Sequence, residues 1–375
     1  MKPFTGVKLP TGLQRLFRRD RPFLGLSIDA GEIRAARLVH TADGFRVEAA
    51  TTVSGPEMDT GGIVAEAALS DALREVASAV GYDGEWVVSA LPGMAVIERM
   101  IKIPVMPNGE LPGAIRFEAE QHIPVPLDDM ILRHVVVGEE QNHERLWRTV
   151  VAACRRDTVL SFHRAFALAG LTLAAIDLPA LALWRYFCAA RASGAQRLAI
   201  VNVDTIVTQC VLAEGDHLLF SRASPVGSRS LGIDAVLAGE GDQAPEMPAL
   251  ALAEGAGGGA PMTGVVSGDG SRPGVLVTGP FAWHGGSGGR VMIDQLAGEI
   301  RRSLEFFSSG HGQWVPEQVV LSGPGARWPE LAGLFADELG LEVSVAVPGG
   351  IRPGDDTMDP ALAVACGLAL WGVKL

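Results

Sequence analysis

From Phe23 onward the apolar positions fall into short runs, and the runs follow an order that is used twice. Strands are expected at Phe23 to Ile28, Ile33 to His40 and, after a turn at Asp43-Gly44, Phe45 to Ala50. Ala65, Ala68, Leu69, Ala72, Leu73, Val76 and Val80 then recur at helical spacing, which predicts a helix from Val64 to Val80, and Trp86 to Ala90 returns to a strand pattern. The order comes back as Leu198 to Val203, Val207 to Ala213, a turn at Gly215-Asp216, His217 to Ala223 and a later strand at Val319 to Ser322. Laying Asp29 on Asp204 aligns the two copies without a gap through both first turns, so the chain is expected to hold two related α/β domains.

Other runs interrupt the repeat. Residues 91–170 are expected to form an inserted α/β subdomain. It has a strand at Val96 to Ile103, a helix stopping at His122 because Pro124 pushes Ile123 out of the α region, strands at Met130 to Val137 and Leu146 to Cys154, and a helix from Arg156 to Ala169. Leu111, Ala114, Ile115 and Ala119 supply the helical spacing of its first helix. Residues 23–90 and 171–193 then make the first domain, and 194–235 with 291–350 the second. Residues 236–290 are rich in Gly and Pro and are expected to be a flexible insertion, and 351–375 contain a small apolar helix that closes on the first domain.

Composition changes this picture little. Hydrophobic residues make up 48% and charged ones 20% of 375 residues, a globular balance, and with no apolar run of 18 or more the chain is expected to be soluble and intracellular. Cys154, Cys188, Cys210 and Cys366 are scattered and read as buried thiols. The net charge of −12 argues against nucleic acid as a partner, but residues 1–22 carry six basic residues against Asp20. That leaves −17 for the rest and marks a basic N-terminal segment. No His-x-x-x-His spacing, Walker loop or Gly-x-Ser-x-Gly elbow is present, so no catalytic or metal-ligating residue is assigned.

One stretch carries more information than the rest. Ile101-Lys102-Ile103-Pro104 and then Phe117-Glu118-Ala119-Glu120-Gln121-His122-Ile123-Pro124-Val125-Pro126-Leu127, together with Leu296 to Phe306 and Pro360 to Trp371, resemble the type IV pilus assembly protein PilM family. The resemblance implies an actin-like, ribonuclease H-like two-domain fold with duplicated βββαβα units and an inserted subdomain that binds a partner. It implies a scaffold at the cytoplasmic face of the inner membrane that takes the N-terminal cytoplasmic tail of a PilN-like membrane protein, with other pilus platform proteins and the pilus motor as further candidate partners. Carried onto this chain, the tail groove would be lined by Ile115, Glu118, Ala119 and His122, with Leu91 to Ile103 as the facing strand.

The resemblance also implies an ATP and Mg site between the domains, held by Asp-x-Gly turns whose glycines let the backbone approach phosphate. Here those triplets read Ser27-Ile28-Asp29 and Asn202-Val203-Asp204, so each Asp has become neutral and each Gly has become Asp. A carboxylate 4 Å from a phosphate charge repels it by about 4 kcal/mol at an effective dielectric of 20. Candidate residues of this degenerate site are Ser27, Asp29, Ala30, Gly31, Asn202, Asp204, Thr205, Gly323 and Gly325, where Asp29-Ala30-Gly31 would be a register-shifted turn and Gly323-Pro324-Gly325 the adenine-side turn. A plain strand-to-helix turn would call for the same glycines. The expectation is a scaffold with weak or absent ATPase activity and no cofactor; the alternative is a nucleotide-cycling actin-like ATPase of the pilus or division type.

Overall fold

The computed structural model describes residues 23–41, 44–57, 65–92, 95–107, 109–123, 125–141, 144–190, 196–233, 288–312, 314–346 and 359–373. The basic segment 1–22, nearly all of the Gly-rich 236–290 and the helix-stopping Pro124 lie outside them. Three strands open the first lobe: β1 (Leu24–Asp29), β2 (Glu32–Thr41) and β3 (Gly44–Ser54), followed by α1 (Glu66–Ala79) and β4 (Val87–Ala90). The inserted unit contributes β5 (Val96–Pro104), α2 (Leu111–His122), β6 (Met130–Gln141) and β7 (Arg145–Arg155). Next come α3 (Arg156–Leu168), β8 (Leu173–Asp177) and α4 (Pro179–Ala189). The second lobe holds β9 (Arg197–Val203), β10 (Thr208–Glu214), β11 (His217–Ser224), α5 (Gly288–Gly310), β12 (Gln318–Ser322), α6 (Glu330–Leu339) and β13 (Val343–Val345). A 3-10 turn at Pro360–Leu362 leads into the last helix, α7 (Ala363–Ala369).

The duplication is written in the hydrogen bonds. One sheet runs β3-β2-β1-β4-β8 and the other β11-β10-β9-β12-β13, with antiparallel pairs on one side of the central strand and parallel pairs on the other. Ile28 pairs with Ile33, and Val203 with Thr208, the same register displaced by one repeat. A hairpin register shifted by one residue would turn every apolar side chain to the wrong face, so this agreement fixes which residues meet at the two turns. It is the arrangement expected of a duplicated actin-like α/β fold.

Helix α7 is buried on every side, and Gly367 shows why a small residue stands there: a Cβ would lie 1.9 Å from the carbonyl oxygen of Ala182 in α4. Its cluster mixes Leu183 and Tyr186 of α4 with Ile200 and Val211 of the second lobe and Val150 of the inserted unit. Burying apolar side chains at about 25 cal/mol per Å² makes this shared core one of the attachments between the lobes.

Helix α3 corrects an expectation. It was placed inside the 91–170 insertion, but Phe162, Ala165 and Phe166 share a buried cluster with Leu69, Leu73 and Val76 of α1 and with Leu24 and Leu26 of β1. The apolar face of α3 therefore covers the first lobe's sheet. The insertion proper is a three-stranded sheet, β5-β7-β6, with α2 on one face.

Candidate functional site

Where the lobes meet, the sequence puts charge into strands that are otherwise apolar. Asp29 is 7% exposed and Arg34 0%, and hairpin pairing sets Asp29 opposite Glu32 and Ser27 opposite Arg34. Residues two apart on a strand share a face, so Glu32 and Arg34 gather beside Asp29. Across the gap, Val203 ends β9 and the turn Asp204 to Val207 closes through a bond from Asp204 N to Val207 O.

The two turns bond to each other. Asp29 Oδ1 accepts from Ala30 N, and Asp29 Oδ2 accepts from Thr205 N at 2.8 Å and Thr205 Oγ1 at 2.6 Å. Arg34 donates to Glu32 Oε2 at 2.7 Å, and its Nη2 lies 3.4 Å from Asp29 Oδ2 and its Nη1 3.8 Å from Asp204 Oδ1. Asn202 donates to Asp204 Oδ2 at 2.7 Å and accepts from Ser322 Oγ at 2.9 Å, so the second triplet is built into its own sheet. On the far side Arg327 reaches Glu32 Oε1 at 3.0 Å and also grips Asp359.

These positions set the charges. Burial alone would lower the Arg34 guanidinium's pKa, but Asp29, Asp204 and Glu32 outweigh it and hold it above its ordinary value. Burial, with the Asp29 carboxylate beside it, pushes Asp204 up to about 8 against the pull of Arg34 and Asn202. Burial would raise Glu32 and Asp359 too, yet Arg327 overrides it at both and keeps them below the usual carboxylate range. At neutral pH Asp204 holds its proton, and Asp29, Glu32 and Asp359 stand against Arg34 and Arg327, an excess of negative charge that phosphate would increase.

Little room is left. The cavity between the turns has a volume of about 20 Å³ and is lined by Ser27, Asp29, Leu91, Pro179, Asp204 and Gln209. A single water needs roughly 10–15 Å³ of such space. The side chain of Gln209 is buried with its Nε2 lacking a hydrogen bond, and Arg34 Nη1 and Asp204 Oδ1 make none beyond their mutual 3.8 Å ion pair.

The other predicted residues fall as follows. Ala30 and Gly31 form the two-residue turn between β1 and β2, Gly31 with φ of 84°. Gly323 has φ of 86°, and a Cβ on it would lie 2.5 Å from Val203 O; Gly325 presses on the Val203 side chain. Both glycines thus seat the 3-10 turn Pro324–Arg327, which carries Arg327 to Glu32, against the end of β9. Outside the predicted set, Asp177 at the end of β8 accepts from Leu178 N at 2.8 Å and pairs with Arg185. Arg34, Glu32, Arg327, Asp359 and Gln209 were not foreseen. The spacing Glu32-Ile33-Arg34, two charges on one face of a buried strand, was the available signal.

The expected partner groove needs correction. Ile115 and Ala119 are 1% and 2% exposed and sit in the insertion's own core with Ile101, Ile103, Val151 and Ala153. Their side chains are committed to that core, where Ile101 and Ile103 of β5 pack with them under α2. Glu118 and His122 are half-buried and 3.7 Å apart on the next face of the helix. Phe117 is 63% exposed beside them, a large apolar side chain left in water.

Among the described residues no cluster of three or more His, Cys, Asp or Glu could hold a metal ion, and no helix is long and apolar enough to cross a membrane.

Comparison with known proteins fits this architecture. A solved PilM-PilN type IV pilus biogenesis complex contains a chain 24% identical, with a TM-score of 0.71, over 95% of this chain and 99% of that one. The ethanolamine utilization protein EutJ from Carboxydothermus hydrogenoformans is 14% identical, with a TM-score of 0.47, over 96% of this chain and 95% of its own. The first of these shows the fold. The family model described as Type IV pilus assembly protein PilM matches residues 25–236, more than half of the sequence, and the chain therefore belongs to the PilM family.

Proposed function

We propose that this chain is a scaffold of the type IV pilus assembly machinery, working at the cytoplasmic face of the inner membrane. Its partner is the N-terminal cytoplasmic tail of a PilN-like protein, and its interlobe site no longer handles nucleotide. Support for the partner is the family membership together with the solved relative, which is a complex of PilM with PilN. The observation that carries the loss of nucleotide handling is the buried Arg34 between Asp29 and Asp204. It puts a positive charge 3.4 Å from Asp29 and 3.8 Å from Asp204, at the two turns that the family resemblance equates with phosphate turns.

Tail docking falls to the accessible side of α2. With Ile115 and Ala119 committed to the core, Phe117, Glu118 and His122 remain to meet an extended peptide. Such a peptide would draw affinity from main-chain bonds and selectivity from side-chain pockets.

The test uses the full chain and a synthetic peptide spanning the cytoplasmic tail of the PilN-like protein from the same cell. Saturable binding, weakened by Phe117→Ser and unchanged by Mg-ATP, is the expected result. A tail that does not bind overturns the scaffold reading, and binding that requires Mg-ATP overturns the nucleotide-independent one.

A further inference from the structure

We infer that the two lobes are held at one fixed separation by a clasp of the chain's own side chains centred on Arg34, so that the joint does not open and close. The inference rests on the reading of the interlobe site as one that no longer takes nucleotide.

The crossing contacts ring the crevice. Asp29 of the first lobe receives two hydrogen bonds from Thr205 of the second, Arg34 faces Asp204, Glu32 holds Arg327, and Glu57 takes both ends of Arg229 at 3.0 Å. Three of the central residues are nearly inaccessible: Arg34 at 0%, Thr205 at 6% and Asp29 at 7%. Ion pairs shielded from water are screened little by salt. Because every group is covalently part of the chain, the clasp cannot dissociate as a ligand would.

Arg34 decides the sign of the joint. Asp29 and Asp204 stand on opposite lobes, and without the guanidinium between them Asp29 loses its buried counter-ion and an ionised Asp204 would repel it across the crevice.

A second set of contacts lies away from the clasp. The insertion packs on the second lobe through Val137 and Val150, which share a buried cluster with Leu218, and Ser221 of β11 hydrogen-bonds to Glu98 of β5. A hinge opening would have to break both sets together, and close-packed contacts of this kind do not deform continuously. A rigid joint would present the α2 surface in one arrangement at all times.

Interlobe distance tests this directly. Spin labels on Glu48→Cys in β3 and Arg302→Cys in α5, both exposed positions, report the separation by pulsed electron resonance in a Cys188→Ser background. Expected is a single narrow distance distribution in the otherwise unaltered chain, unmoved by Mg-ATP. Arg34→Ala should add a second population at longer distance, and Thr205→Val, which removes one hydroxyl and keeps the shape, a smaller one. Should Arg34→Ala fail to fold, the Thr205→Val and unaltered samples decide. A distribution that is already split or moves with Mg-ATP overturns the clasp, as does a single narrow distribution in both variants. Mg-ATP binding seen by calorimetry without any distance change would overturn the nucleotide-free reading and leave the clasp standing.

Discussion

Arg34→Ala isolates the energetics of the joint. At separations of 3.4 and 3.8 Å from Asp29 and Asp204, each attraction is worth about 4–5 kcal/mol at an effective dielectric of 20 once the carboxylate is ionised, which for Asp204 means above about pH 8, before the cost of burying the ions is subtracted. What remains after the substitution differs for each carboxylate. Glu32 keeps Arg327, and Asp29 keeps Thr205 and the Ala30 amide, but Asp204 is left with Asn202 alone. Removing one partner from a buried charge set typically costs 3–5 kcal/mol, because the other charge stays buried and unpaired. A loss of about 3–5 kcal/mol is therefore expected in urea unfolding followed by circular dichroism, with the denaturant slope checked for constancy. Adding Asp204→Asn should restore part of that loss when unfolding is followed above about pH 8, where the Asp204 charge is otherwise left stranded. A loss under about 1 kcal/mol in the single variant, or no recovery in the double, would refute the argument that these charges depend on one another.

Three further outcomes follow from the same geometry. Asp204 keeps a proton in the folded chain, with its pKa raised from 3.8 to about 8, that the unfolded chain has already released. Its contribution to stability must then fall as pH rises between those values and level off above them, with a slope of up to about 1.4 kcal/mol per pH unit. Unfolding of the unaltered chain and of Asp204→Asn compared from about pH 5.5 to 7.5 should show that slope in the difference, and a flat difference would contradict it. Gly323→Ala should cost stability by about 1–3 kcal/mol in thermal or urea unfolding, because it combines a left-handed φ of 86° with a clash against Val203 O; an unchanged midpoint would contradict the close approach. Ala119→Arg should disrupt the insertion itself, since Ala119 is 2% exposed, and hydrogen exchange across β5 and β7 would report the loss; protection like that of the unaltered chain would contradict the burial.

Most of the elements were legible because their periodicity is strong. The helix expected from Val64 to Val80 is Glu66–Ala79, and the gap-free overlay of Asp29 on Asp204 reappears as one shared hairpin register. Strand β13, only Val343–Val345, is too short to make a pattern. Tertiary allegiance was harder. The apolar face of α3 can be read from Phe162, Ala165 and Phe166, but its spacing does not say which neighbours it will meet, here Leu69, Leu73 and Val76 of α1.

At the two sites the outcomes differ for a physical reason. Ile115 and Ala119 were named both as the apolar stripe of their helix and as groove lining, and only the stripe agrees with their burial. Asp29 and Asp204 drew notice because the resemblance implies glycine at those two turn positions. Their counter-ion did not, because a strand pattern places Arg34 on a face without telling which charges across the crevice it will meet.

The central claim is that an actin-like architecture persists here while the chain's own ions fill the place where nucleotide would bind. Isothermal titration of the full chain with Mg-ATP tests it most directly. The account predicts no saturable heat of binding; a saturable isotherm with micromolar affinity would contradict it.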